Sequence, residues 1–383
     1  MTVAAALLLG ACQTVLPRGP APEIRPQATR PQPTGPAQVD PGIPTDTARH
    51  RVALLVPMTG ANGGVGTSIS NATQLALLDT KNERIRITTY DTAALGAANA
   101  AQRAIQDGNR LILGPLLADD VKAVAPIAKH AGVPMVSFSN DASVAGNGSY
   151  LMGYVPGQSI TRVVDYARGQ GLSSFAGLVP NGLYGERAST SFLRAVEGAG
   201  GQVVTLQTYD RAPGSIGAAI TRMGHDSPYE AVLIADGANS AAAAVPILRR
   251  GSGATARILG TELWNSGASA KGKAALNGAW FASVPDNLYR QYAAKYRARF
   301  GAAPFRLSSL GYDAVLLTVR IARDWAMGAE FPESMLKDRG GFGGIDGAFR
   351  FGRDNIAERA LEVQEIRGGT TVVVSPAPTG FVK

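Results

Sequence analysis

Residues 52–68 read VALLVPMTGANGGVGTS, an apolar run that meets a glycine-rich turn. Thr59, Gly60, Gly64 and Gly66 fit T-G-x-x-x-G-x-G, the pattern by which short-chain dehydrogenases bring a dinucleotide pyrophosphate close to a helix N-terminus. Asp91 closes the next apolar run, IRITTYD, roughly where an acid would hold a ribose hydroxyl. Hydride chemistry also needs a proton relay. The sequence has no Tyr-x-x-x-Lys pair in which a lysine could lower the pKa of a tyrosine acid, and YAAK at Tyr292 has the wrong spacing. Acyl transfer fares no better, because no G-x-S-x-G elbow occurs and no histidine lies near a nucleophile motif. His50, His130 and His225 are far apart and lack the spacing of metal ligands. These residues imply no enzyme, no cofactor and no metal.

The N-terminus carries a different kind of signal. Met1 to Ala11 is small and apolar, and Leu9-Gly10-Ala11-Cys12 reads as a bacterial lipobox. Residues 1–11 are then a signal peptide, and Cys12 is the acylated first residue of the mature chain. Cys12 is the only cysteine in 383 residues, and it falls at the lipobox position. The apolar run is far shorter than the ~20 residues a spanning helix needs. Without further thiols the chain has no disulfides and depends on a sizeable core. Residues 13–49 hold nine prolines and almost no large apolar residue. Such a segment is an extended tether, with a reach on the order of 100 Å at ~3.1 Å per residue. The formal net charge of +8 comes from scattered residues with no long basic block, so nucleic acid is not an indicated partner.

From His50 onward, strands and helices alternate. RVALLVP, RIRITTYD, RLILG and VPMVSFS read as short buried strands of a parallel sheet. SISNATQLALLDT, GAANAAQRAIQDG and DDVKAVAPIAKHAG read as the helices between them; in the last, Val121, Val124, Ala125 and Ala128 share one face. A second series follows, with strands SFAGLVP, QVVTLQTYD, YEAVLIAD and ARILGTE and helices GERASTSFLRAVEGAG and NSAAAAVPILRRG. Two such series in one chain predict two similar α/β lobes. NLYRQYAAKYRARFG places Tyr289, Tyr292, Tyr296 and Phe300 on one helical face, and its arginines give a solvated basic face. GAFRFGRDNIAERALEVQEIRGGTTVVV alternates at period two between glycine turns and predicts antiparallel strands.

Four blocks carry a family resemblance. VALLVPMTGANGGVGTSISNATQLAL resembles the opening strand, turn and helix of type I periplasmic binding proteins, the Leu/Ile/Val-binding group. LILGPLLADDVKAVAPIAKHAGVPMVSFSND, LYGERASTSFLRAVEGAGGQVV and RFGAAPFRLSSLGYDAVLL are similar to later blocks in the same order, over about residues 50–366. The resemblance implies two doubly wound α/β lobes joined by about three crossovers, near 154–157, 281–285 and 339–345. One lobe is then about 50–155 with 284–340, and the other about 156–283 with 341–375. In this fold the Thr-Gly loop lines an interlobe cleft, and Asp91 merely ends a strand.

Carried over by position, the resemblance implies Asn62, Ser139, Asn140 and Asp141 as first-lobe ligand contacts, with Tyr184, Asp236 and Glu262 from the second lobe. Carboxylates would hold an ammonium, and amides and hydroxyls a carboxylate. One departure stands out. Amino-acid binders of this fold offer Ser/Thr groups after the Gly-Pro strand, whereas this chain has GPLLADD, with Leu116, Leu117, Ala118 and Asp119. A second relative of the fold is the outer-membrane lipoprotein activator of penicillin-binding proteins, which touches a peptidoglycan synthase. The lipobox, Gln13 in place of an inner-membrane Asp, the tether and GPLLADD resemble that relative. The expected protein is a lipid-anchored activator on the periplasmic face of the outer membrane, with a penicillin-binding protein as partner. The alternative is a substrate-binding lipoprotein that serves an ABC permease with a small polar solute.

Overall fold

The computed structural model describes residues 48–224, 228–266 and 270–381. Cys12, the expected signal peptide, the expected tether up to residue 47 and His225 lie outside the described residues. Among the described residues no helix is long and apolar enough to cross a membrane.

The first parallel sheet holds β1 (His50–Val56), β2 (Ile85–Asp91), β3 (Leu111–Leu113), β4 (Met135–Ser137) and β5 (Ser149–Leu151), in the order β2-β1-β3-β4-β5. Its helices are α1 (Gly63–Thr80), α2 (Thr92–Leu95), α3 (Ala97–Gln106) and α4 (Ala118–His130). Both sheet faces are covered, so alternate residues of one strand enter different cores. Val52, Leu54 and Val56 join one cluster, and Ala53 and Leu55 pack with α3 and α4 in another.

The second lobe begins with α5 (Pro156–Gly169), β6 (Ser174–Pro180), α6 (Leu183–Gly198), β7 (Gln202–Tyr209) and α7 (Ser215–Met223). It continues through β8 (Ala231–Ile234), α8 (Ala238–Leu248), β9 (Arg257–Gly260), α9 (Ala270–Ala275) and β10 (Trp280–Ser283). The parallel order β7-β6-β8-β9-β10 repeats that of the first lobe. The chain then returns to the first lobe as α10 (Asn287–Phe300) and α11 (Ser308–Ile321). Tyr292 and Tyr296 pack with Leu75 and Ala76 of α1 and with Tyr312 of α11. The tyrosine face read from the sequence is thus a packing face.

The period-two tail divides between the lobes. β11 (Phe342–Gly344), β12 (Gly347–Phe351) and β13 (Ala357–Arg359) form their own antiparallel sheet. β14 (Glu362–Arg367) extends the second lobe's sheet antiparallel to β10, and β15 (Thr370–Ser375) pairs antiparallel to β14 at its edge. Phe342, Phe349, Phe351 and Ala357 belong to the core cluster of β1, β3 and Tyr150, and Leu151 bridges Ile356. The third crossover therefore lies at 360–361 and not at 339–345, and residues 342–359 belong to the first lobe. The physical reason is aromatic burial: these phenylalanines complete a core that already holds Trp325 and Phe331. β5 and β10, three and four residues long, were also absent from the strands read in the sequence.

The glycines of the opening motif have a packing role. A Cβ on Gly66 would lie 1.8 Å from the Pro57 carbonyl oxygen. The second lobe repeats the device, since a Cβ on Gly185 would lie 1.6 Å from the Pro180 oxygen. In each lobe the helix that follows the first strand therefore packs hard against the proline at that strand's C-terminal end. Gly66→Ala should cost about 1–3 kcal/mol, because the helix must move away from backbone that cannot yield. Urea unfolding measures it, and a loss below about 0.5 kcal/mol would contradict the close approach.

Candidate functional site

A cavity of about 440 Å³ lies between the C-terminal ends of the two parallel sheets, where open α/β sheets hold ligands. The first lobe supplies Asn62 from the loop after β1, Leu116 and Leu117 after β3, and Phe138 and Asn140 after β4. The second lobe supplies Gln158 and Ser159 from α5, and Glu262, Leu263 and Asn265 after β9.

Of the residues implied by resemblance, Asn62, Asn140 and Glu262 line this cavity, and Ser139, Asp141, Tyr184 and Asp236 are not among its lining residues. Ser139 is buried, and its hydroxyl accepts the Asp141 N–H at 3.1 Å. Tyr184 stands behind Glu262, with its hydroxyl 3.1 Å from both Glu262 Oε1 and Thr261 Oγ1. Asp236 accepts from the Tyr209 hydroxyl and the Gly237 N–H, each at 2.7 Å, and meets Arg211 at 3.3 Å. Glu262 accepts hydrogen bonds from Ser159 and Tyr184. Burial nevertheless drives its carboxyl toward the protonated form, against those bonds.

Asp91 is fully engaged in the fold. Its carboxylate accepts from Met58 N at 2.9 Å, Thr59 Oγ1 at 3.1 Å, Ala93 N at 2.9 Å and Ala94 N at 3.3 Å. It caps α2 and fixes the Thr-Gly loop, so its carboxylate has a structural role.

The strongest cations of the cleft were not singled out from the sequence. Arg306 and Arg359 both line the cavity. Arg306 meets Asp346 Oδ1 at 2.8 Å and Asp286 Oδ1 at 3.8 Å, and it stacks on the Tyr289 ring at 3.9 Å. Arg359 donates to the Met152 carbonyl at 2.5 Å and lies 4.8 Å from the Tyr154 ring centre. A signal was present for each. Arg306 sits between Phe305 and Leu307 inside a family block. Arg359 falls in the inward phase of an alternating run, level with Ala357 and Leu361.

Asp141 joins the lobes. Its carboxylate meets Arg187 of α6 at 2.5 Å and accepts from Ser143 N at 2.8 Å. Burial opposes ionisation of Asp141, but hydrogen bonds from Arg187 and Ser143 outweigh it and hold the pKa below the usual carboxylate range. A depressed pKa gives stability that is present above the unfolded value, near pH 4, and is lost as pH falls below it. Arg187 is 26% exposed, so Asp141→Ala should cost about 1–3 kcal/mol at pH 7, less than a fully buried pair. Denaturation of both proteins at pH 7 and pH 3 tests this: the gap should shrink in acid, and a constant gap would contradict the ion pair.

The class of the protein follows from two like-wound lobes, a cleft at their facing strand ends and a matching sequence profile. Residues 50–370 match the periplasmic binding protein family, and the chain belongs to it. Its α/β fold is that of the type I binding proteins. One curated relative, the uncharacterized protein RP748 of Rickettsia prowazekii (strain Madrid E), is 24% identical over 139 residues. That match spans 36% of this chain and only 37% of the relative's length. Among solved structures, the C-domain of LpoA (YraM) from Haemophilus influenzae, a regulator of PBP1A, superposes with a TM-score of 0.68 at 18% identity, covering 85% of this chain and 99% of that one. A branched-chain amino acid ABC transporter periplasmic ligand-binding protein from Burkholderia xenovorans LB400 gives 0.68 at 14% identity, covering 86% and 96%. The leucine binding protein LivK of Thermotoga maritima MSB8 gives 0.63 at 20% identity, covering 86% and 98%. Such identities establish the fold, which regulators and solute binders share.

Proposed function

We propose that the chain is a non-catalytic envelope lipoprotein, an activator-type regulator that binds a peptidoglycan synthase of the penicillin-binding protein class. The observation that carries this reading is the cleft segment after β3. It offers Leu116 and Leu117 where amino-acid binders of the fold offer hydroxyls. The nearby Ser137 hydroxyl donates to the Pro115 carbonyl, and the buried Ser139 hydroxyl accepts the Asp141 N–H. The proposed Cys12 anchor and proline tether favour the same reading. A protein held at the periplasmic face of the outer membrane reaches a partner across the envelope but shuttles solute poorly.

Cys12→Ser should leave an exported full-length protein that no longer labels with palmitate; persistent labelling would remove the anchor. Capture with the full-length chain from detergent-solubilised envelopes, followed by fluorescent-penicillin labelling, tests the partner. A labelled penicillin-binding protein should be retained, and its absence from the captured material would count against the regulator. The second reading, a solute-binding lipoprotein serving an ABC permease, is favoured by the cavity itself.

A further inference from the structure

We infer that the end of the first lobe opposite the cleft is a membrane-facing surface, where a cluster of arginines lies against anionic phospholipid headgroups. The inference rests on the proposed Cys12 anchor for the membrane it meets, and it leaves the cleft end of the domain uncovered.

The fold gathers arginines that are scattered in the sequence. One immediately precedes each of three neighbouring strands: Arg84 before β2, Arg49 before β1 and Arg110 before β3. Within the sheet Arg51 stands beside Arg86, and the Arg110 N–H donates to the Arg51 carbonyl at 3.0 Å. Neighbouring strands are about 4.8 Å apart, so these five positions span about 10 Å across the sheet. Arg51 and Arg86 share the sheet face of Ala53 and Leu55, on which α3 packs, and Arg103 stands in the last turn of α3. Arg49, Arg84, Arg103 and Arg110 are exposed.

Like charges side by side in a sheet repel, and the local acids offset only part of this charge. Residues 48–51, 81–86 and 103–110 carry seven cations and two acids, Glu83 and Asp107. The Asp107 carboxylate accepts from the Tyr90 hydroxyl at 2.8 Å, and the Asp107 carbonyl accepts from Arg51 at 2.5 Å. The stretch after α11 reaches the same end, where Trp325 stacks on His50 at 3.9 Å. It adds Arg323, Asp324 and Glu330, and α4 ends nearby with Lys129 in its last turn. The surplus remains positive.

The point at which the chain enters the domain selects the partner. Ala48 is the first described residue and adjoins Arg49, so residues 1–47, with the proposed anchor at Cys12, join the domain at the arginine cluster. The tether thereby keeps the cluster close to the surface that holds the acyl chain, where weak attraction suffices. A single acyl chain anchors marginally, and basic residues beside an anionic leaflet supply the second contact. Guanidinium forks match the phosphate oxygens of the headgroups. The cleft lies at the opposite ends of the same strands, so a domain seated in this way turns its cleft away from the membrane.

Vesicle sedimentation tests the surface on the full-length Cys12→Ser chain, which carries no acyl group; palmitate labelling of the parent chain reports on the anchor separately. Vesicles of phosphatidylglycerol and phosphatidylethanolamine should bind the chain tenfold or more tighter than vesicles of phosphatidylcholine, and about 0.5 M salt should release it. Arg84→Ser with Arg110→Ser should weaken binding tenfold or more, at roughly fivefold for each cation near an anionic leaflet. Arg194→Ser with Arg250→Ser removes the same charge from exposed sites of the second lobe and should leave binding within about twofold. Equal losses in the two pairs, no preference for the anionic vesicles, or tighter binding to duplex DNA at equal phosphate concentration would overturn the inference.

Discussion

Replacing Asp346 by Ala should cost about 3–5 kcal/mol, a large part of the ~5–15 kcal/mol that holds a typical domain folded. Asp346 lies in the turn between β11 and β12 with no solvent exposure. It accepts a hydrogen bond from Tyr154, on the first crossover, and pairs with Arg306 at 2.8 Å. Removing the carboxylate leaves Arg306 buried beside Arg359 with only Asp286, 3.8 Å away, to offset it. The neighbouring Asp313 gives the contrast. Its carboxyl is held toward the protonated state; Oδ1 accepts from Ile345 N at 2.7 Å, which an amide oxygen can also do, and Oδ2 has only a long 3.4 Å contact from Asp346 N to lose. Asp313→Asn should therefore cost no more than about 1 kcal/mol. Chemical unfolding of both variants decides the matter: comparable losses, or a loss below about 1 kcal/mol for Asp346→Ala, would contradict the charge assignment.

The second large effect concerns ligand choice. Leucine, isoleucine and valine should bind no tighter than about 100 μM, one to two orders of magnitude short of a micromolar binder. GPLLADD places Leu116 and Leu117 where amino-acid binders of the fold grip a carboxylate, and of the two acids that could hold an ammonium, burial shifts Glu262 toward its protonated form and Asp236 is engaged by Tyr209 and Arg211. One missing charged hydrogen bond costs roughly 1.5–3 kcal/mol, which is the stated loss in affinity. A dissociation constant below about 10 μM for any of the three, weakened by Glu262→Ala, would promote the importer reading.

The lobes were legible because their signals are local. Short apolar strands, three-and-four spacing in the helices and two like series, one after another, require only neighbouring residues to be read. Gly66 stands in the glycine-rich turn that the sequence shows, and a Cβ there would lie 1.8 Å from the Pro57 oxygen. The division of the C-terminal strands was not legible. Period-two alternation marks a buried face but not the lobe that buries it, and Phe349 shares its core cluster with Tyr150, about 200 residues earlier in the chain. The cleft was read least well for the same reason. Asp141 looked like a ligand contact until its partner Arg187 came from the other lobe. Arg359 looked like an ordinary polar residue of a strand, because its burial depends on Tyr154 and Met152 of the first crossover.

The central claim is that this binding-protein fold works by touching a synthase, and it is tested most directly on the synthase itself. The measurement is the rate at which a bifunctional penicillin-binding protein from the same cells makes cross-linked glycan, with and without the full-length chain in detergent. The expected result is a saturable rise in rate as the chain approaches equimolar amounts, abolished when the chain is unfolded beforehand. An unchanged rate together with no detectable association, in a preparation that binds leucine below about 10 μM, would contradict it.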